Sequence, residues 1–162
     1  MRADDPRQVF LDTAFLLPFF QVNITAEAFT IADFELFVDK TSKIHLSELS
    51  VYEAKAKIHR LAKRNEAFSR GLDEFGDNLM ILKEDKKFVF HSFSKAADQY
   101  FNLLNKTVPE LNSFDVIILS QAYDVGFLLT EDDELLALRR TENFRKNTAL
   151  SKLIIKRWRE IT

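Results

Sequence analysis

The chain has 162 residues, 46% hydrophobic and 30% charged, with 16 Phe, 3 Gly, 3 Pro, no Cys and a net charge of −2. The phenylalanines exclude a low-hydrophobicity disordered chain, and the lack of cysteine excludes a disulfide framework, a zinc ribbon and a thiol nucleophile, which points to a reducing cytoplasm. Gly71, Gly76 and Gly126 build neither a Walker A loop nor a GxGxxG turn. No apolar run approaches the roughly 18 residues of a membrane helix. The longest, Ala14 to Phe20, contains Pro18 and follows Asp4, Asp5 and Asp12, which is not the pattern of a signal peptide. The expectation is a single domain over residues 1–162.

Val9-Phe10-Leu11 reads as a buried strand ending at Asp12, followed by a short helix from Thr13 to Phe20 with Pro18 inside it or ending it. Thr25 to Lys40 has the spacing of a helix, and Ile44-His45-Leu46 of a second strand. Ser50-Val51-Tyr52-Glu53 matches a capping box, so a long helix begins near Ser47 or Ser50 with Ala54, Ile58, Leu61 and Ala62 on its inner face. A helix from about Glu66 to Leu82, interrupted near Gly71 or Gly76, precedes a third strand at Phe88 to His91. Ser94 caps a helix reaching about Asn105, and Ser113 caps another whose Val116-Ile117-Ile118-Leu119 run is buried nearly all round, with Gly126 at its C′ position. Phe127-Leu128-Leu129 is a buried strand, and Thr130-Glu131-Asp132-Asp133 opens a further helix. From Lys152 to Ile161 strand and helix signals are equally strong. Strands separated by helices predict an α/β domain with a parallel sheet.

Four acids stand out by position. Asp12 follows the first strand, Glu53 lies in the first turns of the long helix, Asp115 opens the buried helix, and Asp132 comes just past the last apolar strand. In an open α/β sheet the carboxyl ends of strands and the starts of the following helices share one edge, where ligands bind. Glu53, Asp115 and Asp132 are each explained alone as residues stabilising a helix N-terminus. Four on one edge repel one another, and a hard cation with oxygen ligands, Mg²⁺ or Mn²⁺, is the ordinary relief.

The same residues carry a resemblance. Val9-Phe10-Leu11-Asp12-Thr13 resembles the opening block of PIN domains, a strand ending in Asp-Thr or Asp-Ser. Ser47 to Glu53 resembles the second block, Asn112 to Ile118 the third, and Phe127 to Asp132 the fourth, a strand running into Thr-x-Asp. The order spans Val9 to Leu138. The resemblance implies a PIN-like three-layer α/β/α sandwich with a central, mainly parallel sheet. It implies a Mg²⁺- or Mn²⁺-dependent endoribonuclease as in the VapC-type toxins, with Asp12, Asp115 and one or both of Glu53 and Asp132 on the metal. Water activated there attacks phosphorus in line, leaving a 5′-phosphate and a 3′-hydroxyl. It further implies an antitoxin protein as partner, a homodimer, and no membrane. Asp133 and Glu134 leave the register of the last ligand open. The alternative is a non-catalytic PIN module serving as a scaffold or RNA-binding part of a larger assembly. An aspartyl nucleophile of the phosphoryl-transfer type needs a second Asp two residues after Asp12, where Ala14 stands.

Around this core of acids, Thr13 and Thr130 read as hydroxyls that orient carboxylates, with helix capping as the other reading. Glu53, Lys57, Arg60 and Arg64 recur along one helix face, giving either a path for RNA phosphates or an ordinary solvated face. His45, His59 and His91 lack metal spacing and read as structural. Seven of the phenylalanines crowd residues 10–37, mostly as core, with some on the second helix offered to a dimer face or an antitoxin groove. From Arg139 onward the chain carries +6 and the preceding residues −8. The tail either grips phosphates or packs back on the acidic body, and the second reading is preferred because the positive charge is diffuse.

Overall fold

The computed structural model describes residues 7–161; Asp4 and Asp5 lie outside them. Five short strands, β1 (Gln8–Leu11), β2 (Lys43–Ser47), β3 (Phe88–His91), β4 (Phe127–Leu129) and β5 (Ile154–Lys156), form one sheet in the order β3-β2-β1-β4-β5. Every pairing is parallel, so the sheet is wholly rather than mainly so. Parallel strands are covered on both faces, which is why β1, β3 and β4 carry apolar runs; β2 instead alternates, with His45 between Ile44 and Leu46.

The side chains alternate between two cores. Val9 and Leu11 of β1 join Ile44, Leu46, Phe127 and Leu129 under helices α1 (Ile31–Lys40), α2 (Glu48–Arg64) and α4 (Phe75–Glu84). Phe10 points the other way with Leu128 and Ile155, against α5 (Lys95–Thr107), α6 (Ser113–Ala122), α7 (Asp133–Leu138) and α8 (Glu142–Lys146). The result is a three-layer α/β/α sandwich. Each fully buried Phe or Leu contributes roughly 1.5–3 kcal/mol through removal from water. Among the described residues no helix is long and apolar enough to cross a membrane.

Phe34 and Phe37 of α1 face inward and surround Trp158, with ring centroids 5.8 and 5.6 Å from its indole. They are core, and are not available to a dimer face or an antitoxin groove as the sequence allowed. The large apolar residues that α1 exposes are Ile31 and Leu36.

Helix starts differ from expectation where several capping residues compete. The turn from Thr13 to Phe20 is a 3-10 helix, capped by Asp12. Helix α1 begins at Ile31 under a Thr30 cap, so residues 21–30 form a loop, with Gln21 and Ala28 in the left-handed region. Ser47, not Ser50, caps α2. The predicted helix after Glu66 divides into a short turn, α3 (Ser69–Asp73) and α4, with the break at Glu74 between Gly71 and Gly76, near where it was expected. Gly71 is needed for close approach: a Cβ there would stand 2.5 Å from the Phe20 carbonyl oxygen. Asn112 rather than Ser113 caps α6, whose end at Ala122 leaves Gly126, at φ 81°, in the turn beyond it. The residues left undecided hold both structures, with β5 flanked by 3-10 turns.

Candidate active site

The sheet order places β1 beside β2 on one flank and β4 on the other, so the chain reverses its direction of travel across the sheet at the β1–β4 boundary. Ligand crevices in open α/β sheets form at that boundary, outside the carboxyl ends of the strands. A cavity of about 820 Å³ lies there, and Asp12, Glu53, Asp115 and Asp132 all line it. Asp12 arrives from the end of β1, Glu53 from α2, Asp115 from the first turn of α6, and Asp132 from the turn after β4.

The hydrogen bonds fix how these acids are held. Asp12 Oδ1 accepts the Thr13 N–H at 2.7 Å, and Oδ2 accepts the Thr130 hydroxyl at 2.7 Å. The Thr130 oxygen in turn accepts the Asp132 N–H at 3.0 Å, so one threonine ties two of the acids together. Thr13 donates its hydroxyl to Glu53 Oε2 at 2.6 Å. With that proton committed, the 3.0 Å contact between the Thr13 and Ser50 hydroxyls is a donation from Ser50. Asp115 is gripped by Asn112, which receives its N–H at 3.0 Å and donates the side-chain amide to Oδ2. Asp132 Oδ1 accepts from Glu134 and Leu135 N–H at 2.8 and 3.1 Å, so it, and not Thr130, caps α7.

The site is electrostatically uncomfortable. Burial pushes the Asp12 carboxyl above the usual range against the pull of its Thr130 and Thr13 bonds, and the charges of Glu53 and Asp132 add to the rise. Asp115 is pushed up to about 6, by burial first and then by the charges of Asp132, Asp12 and Glu134. Among the described residues no three acid or imidazole side chains already enclose a metal position. The donor chemistry nonetheless fits a hard divalent cation: apart from Lys57, every charged group lining the cavity is a carboxylate, and mutual repulsion adds to the rise of two of them.

No family model matches the sequence, and no match is found among curated proteins. A solved structure does match: the crystal structure of VapBC2 from Rickettsia felis, bound to a DNA fragment from its promoter, aligns with a TM-score of 0.59 over 93% of this chain and 98% of that one, at 17% identity. The likeness is one of fold. The architecture is therefore shared with a chain of that structure, while identity this low carries no residue roles across.

Lys57 lines the cavity one helical turn beyond Glu53; Arg60 and Arg64 are exposed further along α2 and do not reach it. Two of the C-terminal cations, Arg157 and Arg159, turn back on acids of the body, while Arg139 and Lys146 pair with acids of the tail itself. Arg139 binds Glu160, Lys146 binds Glu142, Arg157 binds Asp133, and Arg159 binds Glu27. A second, mostly apolar cavity of about 420 Å³, lined by Tyr52, Phe93 and Gln121 among others, holds none of the four acids. His45 bridges β1 and β3, with Nδ1 2.8 Å from His91 Nε2 and Nε2 3.0 Å from Gln8 Oε1, and burial lowers its pKa to about 4. Sequence reasoning missed Ser50, Asn112 and Glu131 as site neighbours. The Asn-x-x-Asp spacing was a readable signal for Asn112, because that pattern bonds a cap to the third residue of a helix.

Proposed function

We propose that the chain is a Mg²⁺- or Mn²⁺-dependent endoribonuclease acting in the cytoplasm as the toxin of a toxin–antitoxin pair. The observation that carries this reading is the convergence of four carboxylates from four separate elements on one cavity at the β1–β4 boundary. Asp12, Glu53, Asp115 and Asp132 would hold the cation, which when bound neutralises phosphate charge and makes water nucleophilic enough to attack phosphorus in line. Thr130 aims Asp12, Thr13 aims Glu53 and Asn112 aims Asp115, so that the carboxylates keep their orientation despite repulsion. Lys57 stands beside Glu53 as the cation that receives the phosphate of the incoming strand, and Arg60 and Arg64 extend that contact along α2. Cleavage leaves a 5′-phosphate and a 3′-hydroxyl. The fold shared with VapBC2 supports an antitoxin protein as partner and a homodimer as the assembly.

The test is cleavage of structured and single-stranded RNAs by the purified chain with Mn²⁺. Asp12→Asn and Asp115→Asn each reduce cleavage by at least about a hundredfold and leave the circular dichroism spectrum unchanged. Undiminished cleavage in both variants would refute the site. RNA binding without any Mn²⁺-stimulated cleavage by the wild type would assign the chain to the non-catalytic modules instead.

A further inference from the structure

Four consecutive acids, Glu131, Asp132, Asp133 and Glu134, follow Thr130 at the end of β4, and of these Glu131 and Asp132 line the cavity. The segment that leaves β5 discriminates among them. Thr130 N–H donates to the Lys156 carbonyl at 3.0 Å, continuing the β4–β5 ladder past the strand end. The Trp158 backbone N–H then donates to Glu131 Oε1 at 2.7 Å, and Arg157 Nη2 donates to Asp133 Oδ1 at 2.8 Å. The turn is thus fastened at Thr130, Glu131 and Asp133, and of the two acids that line the cavity Asp132 is the one that segment leaves alone.

The same segment holds a second wall. Asn23, Ile24 and Thr25 line the cavity from the loop after the Thr13–Phe20 helix. Further along that loop, the Ala28 carbonyl accepts the Trp158 indole N–H at 3.2 Å, Glu27 pairs with Arg159, and the Phe29 ring packs 5.2 Å from the indole. Ala28 has φ 59°, a left-handed conformation that costs an alanine roughly 1–2 kcal/mol. Trp158, buried among Phe15, Phe34 and Phe37, is the fixed point to which both walls attach.

We propose that Glu131 and Trp158 are positioning residues: Trp158 clasps the two cavity walls together, and the Glu131 carboxylate receives its N–H instead of holding a cation, so that Asp132 is the acid of this run presented to the metal. This rests on the reading of the cavity as a divalent-cation site.

The experiment is calorimetric titration of the full chain with Mn²⁺ alone, on Glu131→Gln, Glu131→Ala, Asp132→Asn and the double variant Glu131→Ala/Asp132→Asn. Glu131→Gln keeps an acceptor for the Trp158 N–H and stays within about threefold of wild type, whereas Glu131→Ala weakens Mn²⁺ about tenfold, the usual scale for losing an orienting partner. In the Asp132→Asn background Glu131→Ala adds nothing further, because the effect acts through Asp132. Equal losses for the Gln and Ala variants overturn the proposal by making Glu131 a ligand, and an unaffected Ala variant overturns it by making the clasp idle. Amide hydrogen exchange without metal separates this from the function itself. Protection of the Glu134 and Leu135 N–H groups, the donors to Asp132 Oδ1, falls in Glu131→Ala and holds in Glu131→Gln. Equal protection in both overturns the clasp, whereas a wild type that takes up no Mn²⁺ but shows this exchange pattern overturns the cation site and retains the clasp.

Discussion

On α2, Lys57, Arg60 and Arg64 stand exposed and make no hydrogen bond or ion pair with any described residue. Beyond the end of α7 at Leu138, the cations Arg139, Lys146, Arg157 and Arg159 are each bound to a carboxylate. The tail holds the larger excess of positive charge by count, yet much of that charge already has a partner. The α2 cations are fewer, but their charge is uncommitted and begins at the cavity wall. Local pairing, not net charge, decides which cations remain available for a polyanion.

Replacing Lys57, Arg60 and Arg64 by Gln together tests that contrast hardest. If all three meet phosphates, the slope of log affinity against log salt flattens by about 0.7 per contact, and RNA affinity at 0.1 M salt falls about a hundredfold. The loss is uniform across sequences, since phosphate contacts do not read bases. Stability stays within about 0.5 kcal/mol, as for other exposed substitutions without partners. A binding series at three salt concentrations decides it, and an unchanged slope makes α2 an ordinary solvated face.

The opposite result is expected from the tail. Arg139 contacts both oxygens of Glu160 at 2.8 and 2.7 Å and also reaches the Ile155 carbonyl at 3.3 Å, and Arg157 is largely buried against Asp133. Arg139→Gln and Arg157→Gln should each cost about 1 kcal/mol, at the upper end for partly exposed pairs, or roughly 2–4 °C in Tm for a chain of this size. RNA affinity and its salt slope should not move. A tail variant that weakens RNA binding as strongly as the α2 variant would erase the distinction between the two regions.

Asp115 connects charge to stability from the acid side. Its carboxyl titrates near about 6 instead of 3.8 because of burial and the neighbouring Asp132, Asp12 and Glu134. Between those two values the folded chain keeps a proton that the unfolded chain has released, so this group favours folding at low pH and loses that contribution as pH rises through about 6. At pH 7 the metal-free fold therefore carries an unfavourable charge. Asp115→Asn removes it and stabilises the chain by about 1 kcal/mol, after allowance for solvent screening at a half-exposed group. The gain disappears at about pH 4. Thermal melts of the metal-free protein at the two pH values check both halves.

The sheet and the four acids were legible because each rests on a short-range pattern: an apolar run with an acid at its carboxyl end, repeated in order. The fold needs no more than that to bring Asp12 and Asp132 to neighbouring strand ends. Helix starts were less legible, since Ser47 and Ser50, or Asn112 and Ser113, are all competent caps and the choice is made by which backbone turns first into the sheet's edge. The register within Glu131-Asp132-Asp133 was not legible at all. It depends on Trp158 and Arg157, more than twenty residues away, in a stretch whose own structure alternates too quickly for any periodicity to show.

The smallest expected effect lies where the tail meets the loop of residues 21–30. Ala28 occupies the third position of a turn closed by the Phe29 N–H to the Ala26 carbonyl at 3.2 Å, and its φ of 59° suits glycine. Ala28→Gly removes a steric cost of roughly 1–2 kcal/mol and adds about 0.5–1 kcal/mol of unfolded-chain entropy. The net gain is about 0.5 kcal/mol, or some 1–2 °C in Tm. The carbonyl that receives the Trp158 indole is retained, so the fluorescence of this single tryptophan should not shift. A loss of stability would mean that the alanine methyl makes a contact worth more than the strain, and that the paired tail holds this loop through side-chain packing as well as through its hydrogen bond and ion pair.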